Sequence, residues 1–158
     1  MTDENVSLKD RVYDFIKHTD AISCVQLSRE FGEGNYSLHV RKNTITAFGL
    51  TKEVVDAIIE LLKTGQIVEV PTHFLTYLID GRVPSLPIAR RGNWEYKKLH
   101  WMPTVYYTQQ RGIAVISNMS ISRKGKKEII NNIRRKAGMP PIPEKKTKHS
   151  NDTKSEHS

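Results

Sequence analysis

The 158 residues carry 25 Lys and Arg against 17 Asp and Glu, a formal charge of +8. That length suits one domain, or one small domain with appendages, and the 37% hydrophobic share predicts that part of the chain stays outside any packed core. The lone cysteine, Cys24, excludes an internal disulfide framework and any multi-cysteine metal site. No apolar run approaches the ~20 residues of a membrane helix. The opening MTDENVSLKD is acidic and polar, without the cationic start and apolar run of a signal peptide. The expectation is a cytoplasmic protein with no membrane association.

The charge is unevenly spread. Residues 1–63 hold 8 basic and 10 acidic side chains, and residues 64–122 hold 6 and 3. Residues 123–138 hold Arg123, Lys124, Lys126, Lys127, Arg134, Arg135 and Lys136 against Glu128 alone. A positive excess confined to the second half points to a polyanionic partner.

Taken in chain order, Ser7–His18 predicts a helix, because Leu8, Val12, Phe15 and Ile16 form one apolar stripe and Ser7 with Asp10 is a variant capping box. Asp20–Val25 reads as a bridging strand, and Gln26–Phe31 as a short helix stopped by Gly32 and Gly34. From Tyr36 to Phe48 the period changes to two, with a polar break at Arg41-Lys42-Asn43, which predicts a small hairpin or an extended loop. Thr51 then caps a helix over Lys52–Thr64, whose Val54, Val55, Ile58, Ile59, Leu61 and Leu62 make it a core element; Gly65 sits where a left-handed cap belongs.

Beyond Gly65, Gln66–Val70 and Thr72–Ile79 read as extended, with Asp80-Gly81 a turn. Pro84, Pro87, Gly92 and Pro103 make Arg82–Pro103 mostly loop with short strands. Thr104–Gln109 and Gly112–Ser117 look like strands joined by a turn at Gln110-Arg111-Gly112. Ser122 caps a last helix, Arg123–Ala137, and the polar, aromatic-free stretch from Ile142 onward is expected to be disordered.

Helix, short strand, short helix, longer helix and two extended segments follow one another in the order of a winged helix-turn-helix. LTKEVVDAIIELLKTGQIVEV resembles that family's third helix running into its first wing strand, and the resemblance covers residues 6–80. It implies an α+β fold: a winged-helix-like domain over 1–80 with an inserted hairpin or loop. A strand and loop extension with a basic C-terminal helix follows over 81–138, and a disordered tail over 139–158. It also implies DNA binding. Two departures bear on the mode. Gly32–Leu50 is far longer than the tight turn between the second and third helices, and the third helix exposes Glu53, Asp56 and Glu60, which repel phosphate.

Nucleic-acid contact is therefore expected elsewhere, from Arg41, Lys42, Arg82, Arg90, Arg91, Trp94, Lys97, Lys98, Lys126, Lys127, Arg134, Arg135 and Lys136. The stretch Arg90–Trp101 interleaves cations with Trp94, Tyr96 and Trp101, a mixture that neutralises phosphates and stacks on bases. Trp94 and Trp101 could equally anchor the loop in a core, with one tryptophan serving each purpose. Duplex DNA is the expected partner, with homodimerisation compatible with the sequence and single-strand or RNA binding a further option.

An enzyme is not expected. Tyr106-Tyr107 lacks the flanking ligands of a tyrosine nucleophile, and one ring inward and one outward on a strand is the simpler reading. No phosphate loop occurs, and the six histidines have no metal-ligand spacing, so neither cofactor nor metal is expected. Cys24 reads as a small core residue. The resulting expectation is a non-enzymatic DNA-binding protein, a regulator or accessory factor of a phage or mobile element. The alternative is an adaptor whose acidic face of Glu53, Asp56 and Glu60 captures a replication or transcription protein.

Overall fold

The computed structural model describes residues 5–91 and 94–143, in which six helices and five strands make a mixed α+β fold. Helix α1 (Leu8–His18) is capped by Ser7, whose side chain accepts from the Asp10 amide, and its Val12 and Ile16 are buried. Helix α2 (Cys24–Phe31) starts two residues before the expected Gln26. Ser23 accepts from the Gln26 amide while the Gln26 side chain accepts from the Ser23 amide, a reciprocal cap that fixes the boundary. The bridging strand expected over Asp20–Val25 consequently shrinks to Ile22, which pairs with Tyr106.

The period-two stretch forms a hairpin of β1 (Glu33–Arg41) and β2 (Thr44–Leu50), turning at Lys42-Asn43. Helix α3 (Lys52–Lys63) follows, capped by Thr51, with Val54, Val55, Ala57, Ile58 and Leu61 buried. Gly65 takes a φ of +68°, as a left-handed helix end requires, and a Cβ there would lie 2.9 Å from the Ile133 carbonyl oxygen. Strand β3 (Ile67–Pro71) then pairs antiparallel with a later strand, and the bridge from Ile22 to Tyr106 lies on that strand's other edge.

Two secondary-structure expectations fail in the second half. Thr72–Ile79 is not extended: helix α4 (Leu75–Asp80) occupies it, ended by Gly81 at a φ of +84°. Tertiary anchors override the local preference here. The fully buried Tyr77 donates from its hydroxyl to the Thr104 carbonyl at 2.6 Å, and Asp80 accepts from the Ser23 hydroxyl at 2.5 Å. The helical period leaves Leu75, Leu78 and Ile79 on the exposed side.

After the short β4 (His100–Trp101), parallel to β2, comes β5 (Thr104–Thr108), the partner of β3. Gly112–Ser117 is the second failure, since it belongs to helix α5 (Gln109–Ser117) and the expected turn lies inside that helix. Gly112 and Ile116, one turn apart, share its buried face. Gly112 is required there, because a Cβ would lie 2.8 Å from the Val68 Cβ. Gly112→Ala is therefore expected to destabilise by about 1–3 kcal/mol, overpacking outweighing alanine's better helix propensity. A thermal melt with an unchanged or higher midpoint would contradict this seating of α5 on β3.

Helix α6 (Arg123–Lys136) is capped by Ser122, and its Ile130 and Ile133 join Val68, Val70 and Ile116 in a satellite core. Ile142, expected to lie in a disordered tail, packs against that cluster and donates its amide to Asn131 Oδ1 at 2.9 Å. The remainder of the expected tail, 144–158, lies outside the described residues. The main core joins α1, α2, α3, β1 and β2 to Tyr77, Trp101 and Tyr106. Residues on both sides of position 80 thus share one interior.

Candidate nucleic-acid interface

The hairpin turn and the Arg90–Trp101 stretch meet, and Trp101 is the pin. Its ring is fully buried, 4.7 Å from Tyr77 and 5.9 Å from Phe48 in edge-to-face contacts. Its amide donates to the Pro87 carbonyl at 2.9 Å, and its carbonyl accepts from the Ala89 amide at 2.8 Å. The chain between must therefore loop out and return. Asn43 ties this loop to the hairpin tip: its side-chain amide donates to the Tyr96 carbonyl at 2.7 Å, and its own carbonyl accepts from the His100 amide at 2.8 Å.

Within the loop, the Arg91 amide donates to the Tyr96 hydroxyl at 3.2 Å, and the Arg91 guanidinium lies 5.7 Å from the centre of the Trp94 ring. Tyr96 stacks on His100 at 3.8 Å. Trp94 is 54% exposed. Trp101 is thus the core anchor of this stretch, and Trp94 lies at the surface. Arg41, Lys42, Arg90, Arg91, Lys97 and Lys98 are all exposed on these two segments, against one carboxylate, Glu95.

The other expected contacts sit apart from this tip. Arg82 pairs with Glu33 at 3.2 Å. Along α6, Lys126 donates to the Ser117 carbonyl at 2.9 Å, Arg134 to the Pro140 carbonyl at 2.7 Å, and Arg135 to Asn132 Oδ1 at 2.6 Å. Lys127 is half-buried, and Lys136 lines a groove beside β3. Several cations that look alike in the sequence are thus partly committed to local structure.

The acidic face of α3 is largely neutralised: Lys52 pairs with Asp56 at 2.9 Å and Lys9 with Glu60 at 3.0 Å. Such exposed pairs contribute little to stability. They do reduce the field that Asp56 and Glu60 present to a partner.

Sequence reasoning missed a titratable pair within the β3–β5 sheet. Tyr106 is fully buried and donates to Glu69 Oε2 at 2.6 Å, whereas Tyr107 is half-buried, the one-in, one-out arrangement expected of a strand. Burial pushes the Glu69 carboxyl above its usual range, opposed by that hydrogen bond and by the Lys136 charge. The signal was present in Ile67-Val68-Glu69-Val70, a carboxylate inside an apolar strand. Burial likewise pushes the Cys24 thiol up to about 11. The folded protein should resist thiol alkylation at a pH of about 8, where its thiol stays protonated, and react once denatured. Rapid labelling of the native protein would contradict this.

Among the described residues no group of three or more His, Cys, Asp or Glu is placed to hold a metal ion, and no helix is long and apolar enough to cross a membrane. No protein-family model, curated protein or solved structure matches the chain.

Proposed function

We propose that this protein is a non-enzymatic duplex-DNA-binding protein whose principal contact is the tip formed by Arg41, Lys42, Arg90, Arg91, Lys97 and Lys98 around Trp94. The observation that carries the reading is the pinning of two sequence-distant basic segments to each other through Asn43. Cations on two segments tied together through Asn43 can meet successive phosphates together, and each such contact releases counterions. Trp94, capped by Arg91, adds a ring able to stack on a base or sugar. Helix α6 supplies a second, weaker contact.

What supports the winged-helix reading is the order α1, Ile22, α2, α3, β3, β5, with Ile22 and β3 on opposite edges of β5. The β1–β2 hairpin is then an insertion between the second and third helices, and residues 72–103 replace the loop of the wing. On this reading the inserted hairpin and the enlarged wing carry the DNA contact, and α3 does not enter the major groove. The adaptor alternative is weaker, because ion pairs engage Asp56 and Glu60 and leave Glu53 as the face's one carboxylate without an ion pair among the described residues.

The test is a direct competition among duplex DNA, single-stranded DNA and RNA of matched length for the full chain. Preferential retention of the duplex supports the reading. Capture of single strands in preference to duplex transfers the weight to Trp94 as a stacking platform and overturns it.

A further inference from the structure

A depression of about 260 Å³ lies in the loop of the basic tip, lined by Ile88, Arg90, Arg91, Trp94 and Tyr96. Two arginines and two aromatic residues thus share one concavity with a single aliphatic side chain, and none of the described residues that line it is a carboxylate. Its frame is held from outside. Tyr96 stacks on His100 at 3.8 Å, its hydroxyl accepts from the Arg91 amide at 3.2 Å, and its carbonyl accepts from the Asn43 side chain at 2.7 Å. Ile88 bridges to the buried Trp101. Trp94, by contrast, is 54% exposed, with the Arg91 guanidinium 5.7 Å from its ring centre.

A large ring left in water beside cations is a stacking surface: bases stack on such rings whatever their identity, while arginine neutralises the neighbouring phosphates. The depression is smaller than the ~300–1,000 Å³ of sites that enclose a whole small molecule, so it suits one flat group of a larger ligand. Arg41, Lys42, Lys97 and Lys98 lie outside its lining. Positive surface therefore continues past the depression, as a polyanion longer than one nucleotide requires.

Inside a duplex both faces of a base are covered by its neighbours, whereas an unpaired base can be splayed out onto a protein ring. Resting on the duplex-binding reading, the geometry points to this depression as the site of an unpaired nucleotide at the end of a duplex. Its base stacks on Trp94, its phosphate meets Arg90 and Arg91, and the paired part runs over the remaining tip cations. An aromatic side chain of a protein partner would bring no charge to the two arginines. An internal stretch of duplex would bring phosphates but no open base.

The experiment is an anisotropy titration of the full chain at about 50 mM salt with three labelled probes. They are a blunt duplex, the same duplex with a three-nucleotide unpaired extension, and the same duplex with an extension of three abasic nucleotides. The abasic probe keeps the added phosphates and lacks the bases. The unpaired extension should bind about tenfold tighter than the abasic one, the scale of one stacked base. It should also quench the emission of Trp94, which is exposed, and not that of Trp101, which is buried. In Trp94→Ala, a change at an exposed position, the extended and abasic probes should bind alike, and Trp94→Phe should keep part of the preference. Equal affinity of the parent for those two probes, or a preference that survives in Trp94→Ala, would overturn the end site and leave duplex binding standing. Failure of all three probes to bind would overturn the duplex reading itself, and the end site with it.

Discussion

Trp101→Ala is expected to destabilise the protein by about 3–5 kcal/mol, the cost of removing a large ring from a closed core. The ring is fully buried against Tyr77 and Phe48, and the backbone of Trp101 holds Pro87 and Ala89. The indole Nε1 has no hydrogen-bond partner among the described residues, so the loss arises from packing and not from a hydrogen bond. Trp101→Phe should accordingly cost much less. Trp94→Ala, at a 54% exposed ring, should stay within about 0.5 kcal/mol of the parent. Equilibrium denaturation of the three variants measures this directly. Equal losses for Trp94→Ala and Trp101→Ala would mean that the loop is not pinned as described.

Replacing Arg90, Arg91, Lys97 and Lys98 together by alanine is expected to produce the largest functional effect. Each phosphate contact contributes about 0.9 to the slope of log affinity against log salt, so four lost contacts flatten it by up to about 3–4 units. At moderate salt this corresponds to a loss of about 10³-fold in duplex affinity. Because such contacts are sequence-independent, the loss should be uniform across DNA sequences. The triple replacement of Arg134, Arg135 and Lys136 should flatten the slope less. Arg134 and Arg135 hold local acceptors, and Lys136 faces the groove beside Glu69. Lys52→Ala should change little, since the ammonium of Lys52 is paired with Asp56. A triple variant that loses more than the fourfold one would move the main contact to α6.

The first half of the fold was largely legible because its signals are local. Ser7 and Thr51 cap the helices that they precede, and the apolar stripe of Val54, Val55, Ile58 and Leu61 faces the core. The second half was less so, because tertiary contacts decide it. Nothing near Leu75 announces a helix; Tyr77 reaching Thr104 and Asp80 meeting Ser23 hold that segment in place. Gly112-Ile113-Ala114-Val115-Ile116 has strand-like composition, yet the close approach of Gly112 to Val68 seats it as a helix. The basic positions could be read from composition, but not their grouping. That depends on Asn43 joining two segments far apart in the chain, and on neighbours that occupy Arg82, Arg134 and Arg135. Glu69 escaped notice because its partner Tyr106 stands 37 residues further along the chain, on β5.

The central claim is that a basic tip, joined through Asn43, holds duplex DNA through its phosphates. Fluorescence anisotropy of a labelled duplex, titrated with the full chain from about 50 to 200 mM salt, tests it most directly. The account predicts a linear fall of log affinity with log salt, with a slope of about −4 to −5 for the six tip cations less incomplete engagement. Absence of detectable duplex binding by micromolar protein at about 50 mM salt, or binding whose affinity is indifferent to salt, would contradict it.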